Sequence, residues 1–173
     1  MTVELPLQLS DADINEFGKE MDAIYDETMA SLGEKDERYI KRVIRFHRSI
    51  LLSSRIVILA SLSFLPSWGL WGAVSTWPVF WVIIGLGTFM LGIAKIIENM
   101  EIGHNVMHGQ WDWMQDPEIN STVWEWDIVC PSDQWKHSHN VVHHTWTNVI
   151  GKDRDIGYEL LRISEKQKWY RSH

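Results

Sequence analysis

Residues 56 to 94 read IVILASLSFLPSWGLWGAVSTWPVFWVIIGLGTFMLGIA, a run of 39 positions without a charged side chain. As one helix it would extend about 58 Å, roughly twice the ~30 Å hydrocarbon core of a bilayer. Two membrane crossings joined by a turn fit this length, and Pro66, Gly69 and Gly72 mark the predicted turn. A buried hairpin in a soluble domain is the alternative, but a chain of 173 residues offers little other surface to cover it.

The charges that flank this run predict its orientation. The second crossing is expected near Pro78 to Ile97, whereas the first is shorter and requires Arg55 to reach the interface. Basic residues cluster before the first crossing, and the connecting turn has none; by the positive-inside rule, both termini are therefore expected in the cytosol of a cell-membrane protein. The cluster itself reads as a solvated face, or else as a dock for lipid headgroups or CoA phosphates: Arg38, Lys41, Arg42, Arg45 and Arg48.

The N-terminal region predicts an amphipathic helix. Ser10 is a suitable N-cap, and Asp11 and Asp13 complement the helix dipole in the first turn. Apolar residues then recur at helical spacing until Gly33, and this stripe is expected to pack against a cytosolic body. The expected fold is all-α: cytosolic helices over residues 1–48, a membrane helical hairpin of two transmembrane helices over 49–97, and a cytosolic metal-binding region over 98–173 whose helices carry histidine clusters.

Composition narrows the class further. The net charge of −7 and the pI near 5.6 argue against nucleic acid as a partner. The one cysteine, Cys130, excludes an intrachain disulfide and reads as a packing residue. The 11 tryptophans fall in groups that suggest membrane–water interfaces, Trp68 and Trp71 among them.

Six of the eight histidines lie between Glu98 and Asn148, in the packets HNVMH and HSHNVVHH. Residues four apart share one helix face, so His104 can pair with His108, and His139 with His143. Neutral imidazole suits iron, copper, zinc or nickel. Five or six rings exceed what one tetrahedral ion takes, which predicts a two-metal site. Chance surface histidines are the alternative, and the concentration in two packets argues against it.

The stretches ENMEIGHNVMHGQW and WKHSHNVVHHTWTN resemble the first two histidine boxes of the integral-membrane fatty acid desaturases. The resemblance implies a histidine-ligated di-iron centre that uses dioxygen and two electrons to remove two hydrogens from a fatty acyl chain. It implies no catalytic residue beyond the metal ligands and no residue that binds another cofactor. Carried over by motif, the implied metal ligands are His104, His108, His139, His143 and His144. His137 and Asn148 are candidates for an outer role around those ligands.

The same resemblance implies partners and a missing part. Two iron ions and an external electron donor are expected, the donor being a ferredoxin or a cytochrome b5 type protein with its reductase. The substrate is expected to be a fatty acyl chain, as acyl-CoA or acyl-lipid, reached from membrane lipid. The family has a third H/Q-x-x-H-H box further along, which this sequence lacks. We therefore expect an N-terminal part, truncated at its C-terminus, that binds metal incompletely by itself.

Competing interpretations were weighed on the motifs. Soluble di-iron carboxylate proteins use paired Glu-x-x-His motifs, and only Glu101 to His104 fits. A zinc protease would need H-E-x-x-H, which neither packet has. A membrane di-iron hydroxylase with the same boxes, an inactive fragment and a subunit of a split desaturase all stay open.

Three local expectations complete the analysis. The segment between Trp111 and Trp135 is expected to form short surface helices, with a turn at Asp116–Pro117. The second packet is expected on a helix capped by Ser132 or Asp133. The stretch with Asp153 and Asp155 receives only a structural or substrate-proximal role, and residues 156–173 are expected to be helical.

Overall fold

A computed structural model describes residues 9–65, 76–159 and 161–171. Every regular element in these ranges is helical, which confirms the all-α class. The predicted turn at Pro66, Gly69 and Gly72 lies outside the described residues, as do Trp68, Trp71 and His173. The α-helices are α1 Asp11–Ser31, α2 Glu34–Ser61, α3 Trp77–Ile96, α4 His104–Met107, α5 Ser132–Trp135 and α6 His144–Trp146.

The chain divides into two compact units, one up to Arg42 and one from Val43 onward. In the first unit, α1 begins at the predicted cap, where Ser10 Oγ accepts the Asp13 N–H at 3.2 Å and Asp13 Oδ2 accepts the Ser10 N–H at 3.0 Å. The helix ends at Ser31, two residues before the predicted Gly33. None of its residues is buried within this unit.

In the second unit, α3 runs antiparallel to the C-terminal half of α2. Just before α3 begins, the Thr76 hydroxyl donates to the Phe64 carbonyl at 2.5 Å. In the middle of α3, Gly87 lies against Ile58 of α2. Because Gly87 has no side chain, the two backbones approach closely, as small residues allow in helix pairs. Buried Ser54 and Ser61 donate to carbonyls of their own helix and so bury no unpaired hydroxyl. The two helices therefore pair as antiparallel neighbours.

Among the described residues, one helix is long and apolar enough to cross a membrane. It runs without interruption from Trp77 to Met107, a total of 31 residues, and little of its apolar part is buried. This helix matches the second predicted crossing. The first predicted crossing is not confirmed, because α2 is a single helix whose first half is strongly charged.

Two stretches that meet the histidine packets are π-helical rather than α-helical. The first is Ile97–Gly103, directly before α4, and the second is Lys136–His143, between α5 and α6. α-Helical spacing was expected in both packets, whereas His137, His139 and His143 lie on a π-helix. Such π segments inside helices occur frequently at functional sites.

Two expectations for the second half of the chain are wrong. From Trp111 to Pro131 the described chain forms turns and a 3-10 turn, Asp112–Met114, rather than a series of short helices, and only α5 at the end of the segment is α-helical. The turn at Asp116 is confirmed, since its carboxylate accepts the N–H groups of Glu118 and Ile119. The described part of the tail contains only the 3-10 turn Gly157–Glu159.

The tail is not helical because side chains take the backbone groups that a helix would use. Gln167 Oε1 accepts the N–H groups of Ile163 and Ser164, and the Arg162 guanidinium donates to backbone carbonyls of Glu165 and Gln167. Hydrogen bonds of this kind compete with helical ones.

Candidate metal centre

The five histidines expected as metal ligands converge in one cluster. Across the two packets, the ring of His139 lies 4.8 Å from that of His104 and 5.2 Å from that of His108, measured between centroids. The ring of His144 lies 4.9 Å from that of His108. The predicted facing of the two packets is therefore what the structure shows.

The first packet is placed by the end of the long apolar helix. His104 begins α4 and His108 follows its last residue, so the two rings lie on one face with centroids 4.6 Å apart. Val106 and Met107, between them, are buried on the opposite side. The Asn140 amide donates to the Met107 carbonyl at 3.0 Å, which ties the second packet directly to the end of the first.

The second packet lies on the π-helical stretch Lys136–His143. His139 and His143 stack with their centroids 4.8 Å apart and their planes 20° apart, while His144 turns its edge to both. The helix begins at Ser132 as expected, but neither Ser132 nor Asp133 caps it with a side-chain hydrogen bond. The Ser132 hydroxyl donates to Glu125 instead, so the helix start is anchored by the preceding loop.

Two carboxylates hold the outer nitrogens of this packet. Asp155 Oδ2 accepts from His139 Nδ1 at 2.6 Å, and Asp153 Oδ1 accepts from His143 Nδ1 at 2.9 Å. In a neutral ring whose Nδ1 carries the proton, Nε2 has the free lone pair. Metal-binding histidines commonly have such carboxylate partners. This role of the two aspartates was not predicted from the sequence, although their spacing of two residues shortly after the packet was a visible signal.

Aromatic side chains enclose His139 and His104. Trp135 stacks on His139 with 4.4 Å between centroids, and forms a T-shaped contact with His104 at 5.3 Å. Trp126 packs edge-on against Trp135 at 5.4 Å and lies directly on the Cα of Gly103. A fully formed apolar wall therefore lies on one side of the cluster. Nothing in the spacing of the tryptophans had indicated it.

The electrostatics favour a neutral His108 ring and an ionised Asp153. Burial and the neighbouring histidines lower the pKa of His108 to about 4, so this ring is neutral and free to bind metal at neutral pH. Burial alone would raise the pKa of Asp153. Hydrogen bonds from His143 and from the Asn148 and Asp155 N–H groups outweigh it and lower that pKa.

This donor set fits a histidine-rich two-metal centre. Donor atoms of His104, His108 and His139 lie within 4.8 Å of one another, and so do those of His139, His143 and Asp155. Imidazole and carboxylate suit iron and neighbouring transition metals. Of the two outer candidates, His137 is exposed and its ring contacts none of these five rings among the described residues. Asn148 approaches only through its backbone, whose N–H donates to Asp153 at 2.8 Å.

A second charged cluster connects the hairpin to the loop before α5. The Glu98 carboxylate, 5% exposed, accepts from the Lys95 ammonium at 2.9 Å and from the Asp127 N–H at 2.9 Å. His47 on α2 lies 3.8 Å from the same carboxylate, and Arg55 pairs with Asp127. The cluster thus joins α2, α3 and the loop that carries Trp126.

Comparisons with known proteins point in one direction. The family model for fatty acid desaturases matches residues 75–173. Over 98% of its length the chain is 46% identical to an NADPH-dependent stearoyl-CoA 9-desaturase of Mycobacterium tuberculosis strain H37Rv, of which it covers 36%. It is 33% identical, over 57% of its length, to an sn-1 linoleoyl-lipid 6-desaturase of Synechocystis, of which it covers 28%. A further sn-1 linoleoyl-lipid 6-desaturase, of Arthrospira platensis, is 36% identical over 53% of the chain and is covered to 26%.

The chain therefore spans about a third of the length of these curated relatives. No solved structure matches it.

Proposed function

The chain belongs to the fatty acid desaturase family, and from this premise we propose that it carries part of the metal centre of an O2-dependent enzyme that dehydrogenates a fatty acyl chain. The observation that supports this most directly is the convergence of five histidine rings from two separate packets. Removing hydrogen from an unactivated methylene requires an oxidant that no side chain supplies. A site with this donor set can hold one.

Two iron ions are the proposed cofactor. His104, His108, His139, His143 and His144 would hold them, with Asp153 and Asp155 fixing the outer nitrogens of His143 and His139. When bound, the irons would supply the chemistry that reduces dioxygen, and an external donor would provide the two electrons. The chain's own residues orient the imidazoles, and the Trp135–Trp126 wall covers one side of His139.

We further propose that the hairpin of α2 and α3 lies in the cell membrane with both termini in the cytosol. One helix is apolar enough to cross, and the antiparallel pairing with α2 supplies a second segment beside it. The basic residues that precede the first segment support the orientation. The histidine packets then lie at the cytosolic end of the hairpin, within reach of an acyl chain from the lipid.

The substrate and the electron donor are proposed from the relatives. Their names specify stearoyl-CoA in one case and a linoleoyl lipid in another, so an acyl chain on CoA or on a lipid is the proposed substrate class. The relative named NADPH-dependent supports a donor chain that begins at NADPH and reaches the centre through a ferredoxin or a cytochrome b5 type protein. A related membrane di-iron hydroxylase remains the alternative, because both chemistries use the same boxes.

Metal analysis of variants tests the centre. The protein is purified in detergent, dialysed to equilibrium against ferrous iron under anaerobic conditions and analysed for iron bound per chain. We expect His143→Ala to lose most of the iron that the wild type retains, and His137→Ala to retain it, because only the former ring lies in the cluster. Equal iron in the two variants, or none in the wild type, would contradict the proposal.

The extent of loading tests a separate prediction. We expect the wild-type chain alone to bind iron weakly or below two ions per chain, as an incomplete N-terminal part or a subunit of a split enzyme would. An in-frame H/Q-x-x-H-H motif in the DNA beyond residue 173 would support that prediction. Two tightly held irons with oxygen-dependent desaturation by this chain would refute it.

A further inference from the structure

The buried carboxylate of Asp153 accepts three hydrogen bonds. Its Oδ1 accepts from His143 Nδ1 at 2.9 Å and from the Asp155 N–H at 3.0 Å, and its Oδ2 accepts from the Asn148 N–H at 2.8 Å. Its side chain is 0% exposed. Each carboxylate oxygen therefore accepts a hydrogen bond from the protein, and water does not reach either oxygen.

The backbone of residues 148–153 turns around the Asp153 carboxylate. Asn148 and Gly151 have positive φ values of 64° and 85°, and the Asp153 N–H donates to the Val149 carbonyl at 2.9 Å. The resulting tight turn brings the Asp153 carboxylate within hydrogen-bonding distance of His143 Nδ1. Positive φ at a non-glycine residue costs energy unless surrounding contacts hold it, and the Asn148 N–H bond to Asp153 is such a contact.

Asp155 is placed differently. Its side chain is 27% exposed, and among the described residues its Oδ2 accepts one hydrogen bond, from His139 Nδ1 at 2.6 Å. The ring of His139 is also held by stacking on both faces, with Trp135 on one side and His143 on the other. His139 thus has an orientation that does not depend on Asp155 alone.

Resting on the proposed function, we propose that Asp153 is a positioning residue whose carboxylate sets the tautomer of His143, whereas the contact of Asp155 with His139 can be made equally by an amide. A carboxylate can only accept, so it keeps the proton on Nδ1 and leaves Nε2 of a neutral ring free for metal. The two aspartates look alike in sequence, but the second oxygen of Asp153 accepts the Asn148 N–H, whereas the side chain of Asp155 is partly exposed to solvent.

An amide at position 153 conflicts with a donor in either orientation. With its oxygen at the Oδ1 position, its NH2 group faces the Asn148 N–H; with its oxygen at the Oδ2 position, the NH2 group faces the Asp155 N–H and His143 Nδ1. The second arrangement pulls the proton of His143 to Nε2. At position 155 the amide oxygen can turn to His139 while its NH2 group turns to solvent. Asp153→Asn is therefore expected to disturb the centre, and Asp155→Asn is not.

The test compares Asp153→Asn and Asp155→Asn in the whole chain, with Asp133→Asn as the matched control because Asp133 is exposed and pairs only with Lys136. The first readout needs no metal: 15N NMR of histidine-labelled protein in detergent identifies which ring nitrogen carries the proton. We expect His143 protonated on Nδ1 in the wild type and in Asp155→Asn, and a mixture of tautomers in Asp153→Asn.

The second readout is binding of Co2+ alone, followed by its visible absorption. We expect Asp153→Asn to weaken binding by about tenfold or more, as loss of such partners typically does. Asp155→Asn and Asp133→Asn should stay within about threefold of the wild type. Equal weakening by the Asp153 and Asp155 variants would overturn the proposal and favour direct metal binding by Asp155.

The wild-type tautomer decides the matter even where Asp153→Asn does not fold. Proton on Nε2 of His143 in the metal-free wild type overturns the proposal, and proton on Nδ1 supports it. Failure of the proposed function has a different signature, since a wild type that binds no Co2+ or Fe2+ can still show the Nδ1 proton on His143.

Discussion

The indole ring of Trp135 lies nearly parallel to the imidazole of His139, with centroids 4.4 Å apart and planes 21° apart. The opposite face of His139 is covered by His143 at 4.8 Å, and its Nδ1 is bound by Asp155. His139 is also the ring common to both groups of candidate donors. The most central histidine of the cluster is therefore held from three directions by side chains of its own segment and the following loop.

Trp135→Ala removes one of these supports. We expect it to lower the free energy of unfolding by about 2 to 3 kcal/mol, near the lower end of the cost of truncating a buried tryptophan because Trp135 is half-buried. Trp135→Phe retains a stacking ring and should lose less than half as much. Trp169→Ala, at an exposed position, is the control and should shift stability by no more than about 0.5 kcal/mol. Thermal unfolding in detergent measures all three, and identical curves for the Ala variants would show that the stack contributes nothing.

Gly103→Ala should destabilise the protein through a clash at the foot of the cluster. A Cβ at this position would lie 2.4 Å from Trp126 Cε3 and 2.9 Å from the Glu98 carbonyl oxygen. Overpacking of this kind costs about 1 to 3 kcal/mol. Gly92→Ala in the same long helix meets no atom within 4 Å and should be neutral or slightly stabilising. A Gly103→Ala protein that melts at or above Gly92→Ala contradicts the contact with Trp126.

Gly87→Ala tests the pairing of α2 with α3. A Cβ there would lie 2.7 Å from Ile58 Cγ1 and 3.0 Å from the Ile58 backbone nitrogen, and a backbone atom cannot turn aside as a side chain can. We expect a loss of about 1 to 3 kcal/mol, against no loss for Gly85→Ala, which faces open space two residues away. Unfolding by denaturant in detergent gives the comparison. If both variants behave alike, the helices do not meet at Gly87.

Glu98→Gln is expected to loosen the junction between the hairpin and the loop before α5. The amide can still accept the Asp127 N–H, but its NH2 group then faces the Lys95 ammonium, and a buried charged hydrogen bond is lost. The expected cost is about 2 to 3 kcal/mol. Glu16→Gln on the exposed helix α1 should change stability by less than about 0.5 kcal/mol. Hydrogen exchange of the Asp127 amide adds a local measurement, and unchanged protection there would speak against this role for Glu98.

Several features were predictable because they depend on neighbours along the chain. The Ser10 cap needs only Asp13 three residues on, and the second apolar stretch needs only its own length. The pairing of His104 with His108 follows from helical spacing alone. The tail was expected to be helical, but the hydrogen bonds of Arg162 and Gln167 to the backbone stabilise a different conformation.

The sequence by itself determined the helical class, the apolar stretch near Pro78 to Ile97 that is long enough to cross a membrane, and the six histidines in two packets, because periodicity and spacing are local properties of a chain. Only the tertiary structure decided that Trp135 stacks on His139 and that Glu98 accepts the Asp127 N–H. It also decided that Asp153 contacts His143 and Asp155 contacts His139. These contacts depend on where a loop turns back and on which donors reach a buried oxygen. Residue spacing does not encode that geometry, because it arises from packing and from the need to pair every buried polar group.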